Sequence, residues 1–111
     1  MTIKDIKDKL CELPFTVVHM LADPDTPAPC LCWQEIGGRF EYGDNAPVVR
    51  MAILQFDYFT TDEYDEVGPI QITKKLSKLD ASFDVEPITF DVDRQEWRHI
   101  WTVKALVRTD A

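Results

Sequence analysis

Three cysteines and two histidines are the side chains of this chain that could do metal or thiol chemistry. Cys30 and Cys32 lie two residues apart, so in a strand both sulfurs point to the same face of the sheet. A zinc site needs about four ligands, and His19 and His99 are not spaced as a ligand pair. We therefore interpret the two cysteines as small buried apolar residues and expect free thiols. A small cytosolic metal-binding or enzymatic domain that uses this pair stays open as an alternative.

Carboxylates and hydroxyls offer no better catalytic arrangement. Four acidic residues lie within residues 62–66, where a metal site could be drawn, but acidic residues are also favoured at helix N-termini, and we predict a solvated helix start there. Neither Ser77 nor Ser82 lies in a nucleophile elbow. We interpret both histidines as strand residues with a hydrogen-bond partner. The sequence thus predicts no enzyme, cofactor or metal.

Length and charge bound the classes of partner. The 111 residues suffice for one domain, which we place at 1–111. The formal net charge of -8 disfavours nucleic acids and anionic membranes as partners, because binding them needs clustered Lys and Arg. No apolar run approaches the roughly 20 residues that span a bilayer, and the N-terminus lacks a signal-peptide pattern. We expect the chain to be made and kept in the cytosol.

The first half of the chain predicts one helix and three strands. Thr2 is a predicted N-cap, and the apolar stripe of the first helix ends at Pro14. Strands are predicted over 15–20 and 30–36, on either side of a stiff loop with three prolines. The Gly37-Gly38 pair is expected to break the second strand. After a resumption over 39–42, we predict a turn at Tyr42-Gly43-Asp44-Asn45, where Asp and Asn tolerate left-handed backbone.

Residues 50–60 give the clearest strand, because apolar residues alternate with a mixed set. One face is predicted to pack on the core, and the other is predicted to be partly covered. The predicted core face holds Ala52, Leu54, Phe56 and Tyr58, and the second face holds Met51, Ile53, Gln55, Asp57 and Phe59.

The second half predicts a helix over 66–79, with regular structure from about Pro69, and two long strands over 83–92 and 97–107. Pro87 marks an edge position or a bulge in the first of these strands. The element order predicts an α+β fold, with two layers: a largely antiparallel sheet of about five strands and two helices on one face. The last strand divides into a core face, Trp101, Val103, Ala105 and Val107, and an opposite face, Ile100, Thr102, Lys104 and Leu106.

The element order and several short strings resemble the tail-completion proteins, or tail terminators, that join tail to head in long-tailed bacteriophages. The likeness covers nearly the whole chain. The strings are a first helix ending in Leu13-Pro14-Phe15, the run Pro29-Cys30-Leu31-Cys32, the turn Tyr42-Gly43-Asp44-Asn45, the strand Leu54-Gln55-Phe56-Asp57-Tyr58-Phe59-Thr60, and the acidic helix with Ile72, Leu76 and Leu79.

That resemblance implies a ring, commonly of six copies, stacked on the end of the tail tube. The expected partners are further copies of the chain, the major tail tube protein and a head-tail connector or stopper protein, in a virion assembled in the bacterial cytoplasm. Acidic residues would give the ring a lumen along which DNA slides without sticking. The candidate contacts between subunits or with the tube are Tyr42, Gly43, Asp44, Asn45, Met51, Ile53, Phe59, Ile100 and Leu106.

A different alternative is an acidic inhibitor that mimics DNA. Such a protein would array carboxylates along one face at the spacing of phosphates, whereas the acidic residues of this sequence are scattered and alternate with lysines.

Overall fold

The computed structural model describes residues 1–20, 25–41 and 49–108. They form two helices and six strands. The elements in chain order are α1 (Ile3–Leu10), β1 (Thr16–His19), β2 (Cys30–Glu41), β3 (Val49–Thr60), α2 (Val67–Ser77), β4 (Ala81–Val85), β5 (Thr89–Asp91) and β6 (Glu96–Arg108).

The strands form one mixed sheet with the order β1-β2-β3-β6-β4, and β5 also pairs with β6. Only the β1–β2 pair is parallel; the other pairs are antiparallel. The predicted α+β class with a largely antiparallel sheet is therefore confirmed. The single strand predicted over 83–92 is wrong, because the chain forms β4 and β5 on either side of Pro87, whose nitrogen cannot donate to β6.

Both predicted core faces are confirmed by the pairing of β3 with β6. Leu54 lies opposite Val103, and Phe56 opposite Trp101, so the two sets of apolar side chains share one face of the sheet. Each side chain in these two sets is at most 1% exposed. Alternation with a period of two residues therefore predicted which side of each strand the core covers.

The helices add apolar side chains to that same cluster. Residues Ile6 and Leu10 of α1 are buried in it, as are Ile72 and Leu76 of α2. That both helices pack on one face of the sheet stays a prediction. No helix within residues 1–20, 25–41 and 49–108 is long and apolar enough to cross a membrane.

Helix α1 begins as its sequence predicts. Thr2 and Asp5 form a reciprocal capping box: the Asp5 amide donates to the Thr2 hydroxyl at 3.1 Å, and the Thr2 amide donates to the Asp5 carboxylate at 2.8 Å. Helix α2 starts at Val67, close to the predicted start at 66, and ends two residues before the predicted end at Leu79.

The predicted break at Gly37-Gly38 is wrong. Strand β2 continues through both glycines, and a bulge between Glu35 and Gly37 absorbs the irregularity. Gly38 has φ of +143°, and a Cβ atom at this position would overlap the carbonyl oxygen of Met51 in β3. Glycine thus lets β2 run close to β3 where another residue would force the strands apart.

We predict that Gly38→Ala lowers the free energy of unfolding by about 2–4 kcal/mol, because the added methyl group meets backbone that cannot move without disturbing the pairing of β2 with β3. Gly37→Ala is the matched control, since nothing lies within 4 Å of its added Cβ, and it should change stability by less than about 0.5 kcal/mol. Urea denaturation measures both values. Equal losses for the two variants would contradict this account of the bulge.

Candidate functional site

The predicted contact residues lie on the sheet face opposite the core, which we call the outer face. Met51, Ile53 and Ile100 are half-buried there, and Leu106 is 48% exposed. The predicted turn residues Tyr42, Gly43, Asp44 and Asn45 lie outside the described residues.

Part of the outer face is an apolar surface with cationic side chains beside it. Met51 and Ile53 line a shallow cavity of about 310 Å³ together with Gly38, Arg39 and Lys104. Leu106 lies opposite Met51 in the register of β3 and β6, so it extends the same apolar surface. We call this surface the outer patch, formed by Arg39, Met51, Ile53, Lys104 and Leu106. Its chemistry suits an apolar protein surface that carries acidic groups.

Phe59 does not belong to that open surface, although it points to the outer face. Only 7% of the side chain is exposed, and it clusters with Cys30 and Cys32. Two guanidinium groups cover its ring: the central carbon of Arg94 is 4.5 Å from the ring centroid, and that of Arg98 is 5.9 Å away. Of the candidate contact residues, Phe59 is therefore covered within the subunit by two arginines, one from the β5–β6 hairpin and one from β6.

Arg94 ties three separate segments together. Its Nε donates to Glu96 at 2.7 Å, and one terminal nitrogen donates to the carbonyl oxygen of Thr26 at 2.8 Å. The same nitrogen is 3.6 Å from the Cys30 sulfur. The side chains of Arg94 and Glu96 are each only 12% exposed, so this ion pair is more sheltered than an ordinary surface pair. Arg94 lies between the strands predicted over 83–92 and 97–107, and nothing in the sequence around it indicates this role.

The cysteines occupy the positions that their spacing predicts. Cys30 and Cys32 are buried side by side on the outer face, and Cys11 is exposed. A hydrogen bond with Cys32 lowers the pKa of the Cys30 thiol; burial opposes this shift, and the Arg94 charge favours it. The interpretation as buried residues is confirmed. In the described part of the chain, no three His, Cys, Asp or Glu side chains are grouped so that they could hold a metal ion.

A second apolar surface, which the sequence did not predict, lies at the edge of the sheet formed by β4 and β5. Val85, Ile88 and Phe90 are 61%, 53% and 42% exposed. Val85 lies opposite Trp101 and Phe90 opposite Trp97, so both are on the core side of β6. These side chains extend the core face beyond the cover of the helices.

Helix α2 completes this second surface. Its Pro69 and Ile70 line a cavity of about 430 Å³ together with Ile88 and His99. Ile70 is 50% exposed. We call this surface the edge patch, formed by Ile70, Val85, Ile88 and Phe90.

Acidic residues surround the edge patch. Residues 61–73 and 81–93 hold eight of the 20 acidic residues and none of the 12 basic ones, so the rest of the chain is formally neutral. The fold brings these two segments together, since Asp65 and Glu66 line the same cavity as Ile88. The formal net charge of -8 is therefore carried by these two neighbouring segments, whereas the other 12 acidic residues are balanced by the 12 basic ones along the rest of the chain.

A hydrogen bond between the buried Tyr58 and the half-buried Asp65 lies next to the edge patch. The Tyr58 hydroxyl donates to the Asp65 carboxylate at 2.6 Å, and the Gly68 amide donates to the same carboxylate at 3.1 Å. Burial raises the pKa of Asp65, but the hydrogen bonds from Tyr58 and Gly68 outweigh that effect and leave it below its ordinary value. Burial and the bond to Asp65 both raise the pKa of Tyr58. Asp65 thus fixes the first turn of α2 to β3.

The two histidines are strand residues, as predicted, but their surroundings differ. His19 is exposed and stacks on Trp33 with 4.2 Å between ring centroids. His99 is buried, and its Nε2 has no hydrogen-bond partner within the described residues, so the expected partner of this nitrogen is absent there. Burial lowers the pKa of His99, and the Asp65 carboxylate opposes that shift in part.

One prediction from this site concerns the buried thiols. With a chromogenic disulfide reagent, we expect Cys11 to react fast in the folded protein, and Cys30 and Cys32 to react slowly because they are buried. Arg94→Ala should speed the slow reaction at least about tenfold, since local opening then exposes Cys30 more often. Lys104→Ala, on the same face, is the control. No change on removing Arg94 would show that its contacts do not hold this region closed.

Another prediction from this site concerns the pH dependence of stability. Because the folded protein holds the pKa of His99 below the ordinary 6.5, the unfolded chain binds more protons as the pH falls below that value. The free energy of unfolding should therefore decrease between about pH 7.5 and pH 5 in the wild type, and decrease less in His99→Gln. The stability contributed by the ionised Asp65 is lost only near its unfolded pKa of 3.8 and below. Parallel pH curves for the two proteins would contradict the assignment.

Comparison with known proteins supplies no relative that would name the site. No protein-family model matches the chain, and no curated protein matches it significantly. The function is therefore argued from the two surfaces themselves.

Proposed function

We propose that this protein is a structural subunit of a bacteriophage tail, which caps the tail tube as a ring of identical copies and joins the tail to the head connector. It does so without catalysis or a cofactor. The proposal follows the resemblance in element order to tail-terminator proteins. The observation that carries it is the outer patch, an apolar surface near the start of β3 and the end of β6 that lies outside the core clusters of the described residues.

The outer patch fits an assembly role because of what lies on it. Met51, Ile53 and Leu106 lie on β3 and β6, and no described helix covers this face with apolar side chains. A second copy or the tail tube would bury this surface, and the release of water would favour the contact by about 25 cal/mol for each Å² of apolar area buried. Arg39 and Lys104 at the same cavity would select acidic partners.

The charge distribution agrees with a partner that is protein. The acidic side of the molecule contains the exposed apolar residues Ile70, Val85, Ile88 and Phe90, which a mimic of the DNA backbone would not need. A ring made of such subunits presents many carboxylates, and those that face the lumen would repel the DNA phosphates and so prevent sticking. We therefore favour the structural role over the inhibitor.

The proposal predicts that Ile53→Glu prevents assembly and leaves the fold intact. An added carboxylate in the centre of the outer patch would have to be desolvated in the contact, which costs several kcal/mol. Electron microscopy of the protein, alone and with a tail tube protein from the same source, should show rings for the wild type and none for the variant.

Ile36→Glu is the control, because Ile36 is another isoleucine of the sheet, is 49% exposed and lies outside both patches. It should form rings like the wild type. Circular dichroism and urea denaturation should give similar stability for all three proteins. Rings of normal appearance from Ile53→Glu would show that the outer patch is not an assembly surface.

A further inference from the structure

We infer that the edge patch of one copy docks on the outer patch of the next, so that the subunits join head to tail. This inference rests on the proposed function and deepens it by naming the two surfaces and the occupant, a second copy of the chain. Three features of the described residues carry it: apolar centres, opposite charge and position on the molecule.

Each of the two surfaces has an apolar centre of a few side chains. The edge patch offers Ile70, Val85, Ile88 and Phe90, and each is between 42% and 61% exposed. The outer patch offers two half-buried side chains beside a cavity and the exposed Leu106. Both surfaces thus combine exposed apolar side chains with a shallow cavity, of about 310 Å³ at the outer patch and about 430 Å³ at the edge patch.

The charges are opposite. Residues 61–73 and 81–93, which carry the edge patch, hold eight acidic and no basic residues. Lys104 is exposed beside Met51 and Ile53, and Arg39 lines the same cavity. Docking of the edge patch on the outer patch would therefore bring Lys104 and Arg39 towards carboxylates such as Asp65 and Glu66. A contact between two edge patches would instead bring two acidic surfaces together, and their repulsion would weaken the association. Charge complementarity favours a second copy in the head-to-tail arrangement.

The positions on the fold exclude a contact within one molecule. Val85 and Phe90 are on the core side of the sheet and pair with residues 97–101 of β6. The outer patch is on the opposite side, near residues 104–106 of the same strand. The two are separated along β6 by roughly 20 Å. A contact between different surfaces is heterologous, and such contacts close into rings when the rotation permits.

The edge strands favour side-chain docking over strand addition. Strand β4 has five residues and β5 has three, and the chain between them contains Pro87. Short edge strands interrupted by proline and flanked by charge resist pairing with another strand. The contact we infer therefore uses the faces of the two patches rather than backbone hydrogen bonds.

The test uses two variants that each remove one patch without adding charge. Ile70→Gln/Ile88→Gln alters the edge patch, and Met51→Gln/Ile53→Gln alters the outer patch. Analytical ultracentrifugation should show self-association of the wild type, and each variant alone should associate at least tenfold more weakly. Val67→Gln, another exposed apolar residue of α2, is the control and should associate normally.

Mixing the variants separates head-to-tail docking from a symmetric contact. Each variant retains the surface that the other lacks, so a 1:1 mixture should form a dimer of one copy of each and nothing larger. If the contact were edge to edge, the outer-patch variant would still associate alone, which would overturn the inference. If Met51→Gln/Ile53→Gln fails to fold, Lys104→Gln replaces it as the outer-patch variant, because the Lys104 side chain is exposed. Its self-association is then measured in the same way.

The remaining outcomes distinguish this inference from the proposed function. A wild-type chain that stays monomeric at about 1 mM overturns the docking inference, because the patches then bind each other too weakly to matter. Rings that form normally with both variants overturn the docking inference and leave the ring proposal intact. Absence of rings with the tail tube protein overturns the proposed function.

Discussion

The pairing of β3 with β6 is the constraint on which the rest of the structure depends. The two strands pair without a break from Val49 opposite Arg108 to Thr60 opposite Trp97. Their uninterrupted alternation places one set of apolar residues in the core and another on the outer face. A single register slip would exchange the two faces, so this pairing fixes both the core and the outer patch.

Length explains why both patches lie outside the core cluster of the described residues. The 12 residues of β3 span about 40 Å, whereas α1 with 8 residues and α2 with 11 residues span about 12 Å and 16 Å. Two short helices cannot cover a sheet of this length: Ile72 and Leu76 of α2 join the core cluster, whereas Ile70 of the same helix stays 50% exposed in the edge patch. None of the outer-patch side chains belongs to that cluster.

Local patterns made much of the fold predictable. The alternation of apolar residues predicted the core faces of β3 and β6, and the Thr2–Asp5 pair predicted the start of α1. Each of these signals involves only residues that are close together in the sequence. Gly37-Gly38 was misinterpreted as a break, since only the neighbouring β3 shows that the chain runs on through a bulge. The site was harder to predict. Phe59 is covered by Arg94 and Arg98, which lie more than 30 residues away in sequence.

The edge patch escaped prediction for the same reason. Its apolar residues come from α2 and from the β4–β5 segment, and only the fold places Ile70 beside Ile88. The absence of Lys and Arg from 61–73 and from 81–93 was a signal present in the sequence, but its meaning depends on the two segments being neighbours. The shared face of Met51, Ile53 and Leu106 was predictable, because strand alternation alone brings these side chains to one side of the sheet.

The central claim is that identical copies of this chain close into a ring. Native mass spectrometry of the wild type, alone and with a tail tube protein from the same source, tests that claim most directly. The account predicts one closed oligomer with a single fixed copy number, six according to the resemblance. Monomers under both conditions, or a symmetric dimer and nothing larger, would contradict it.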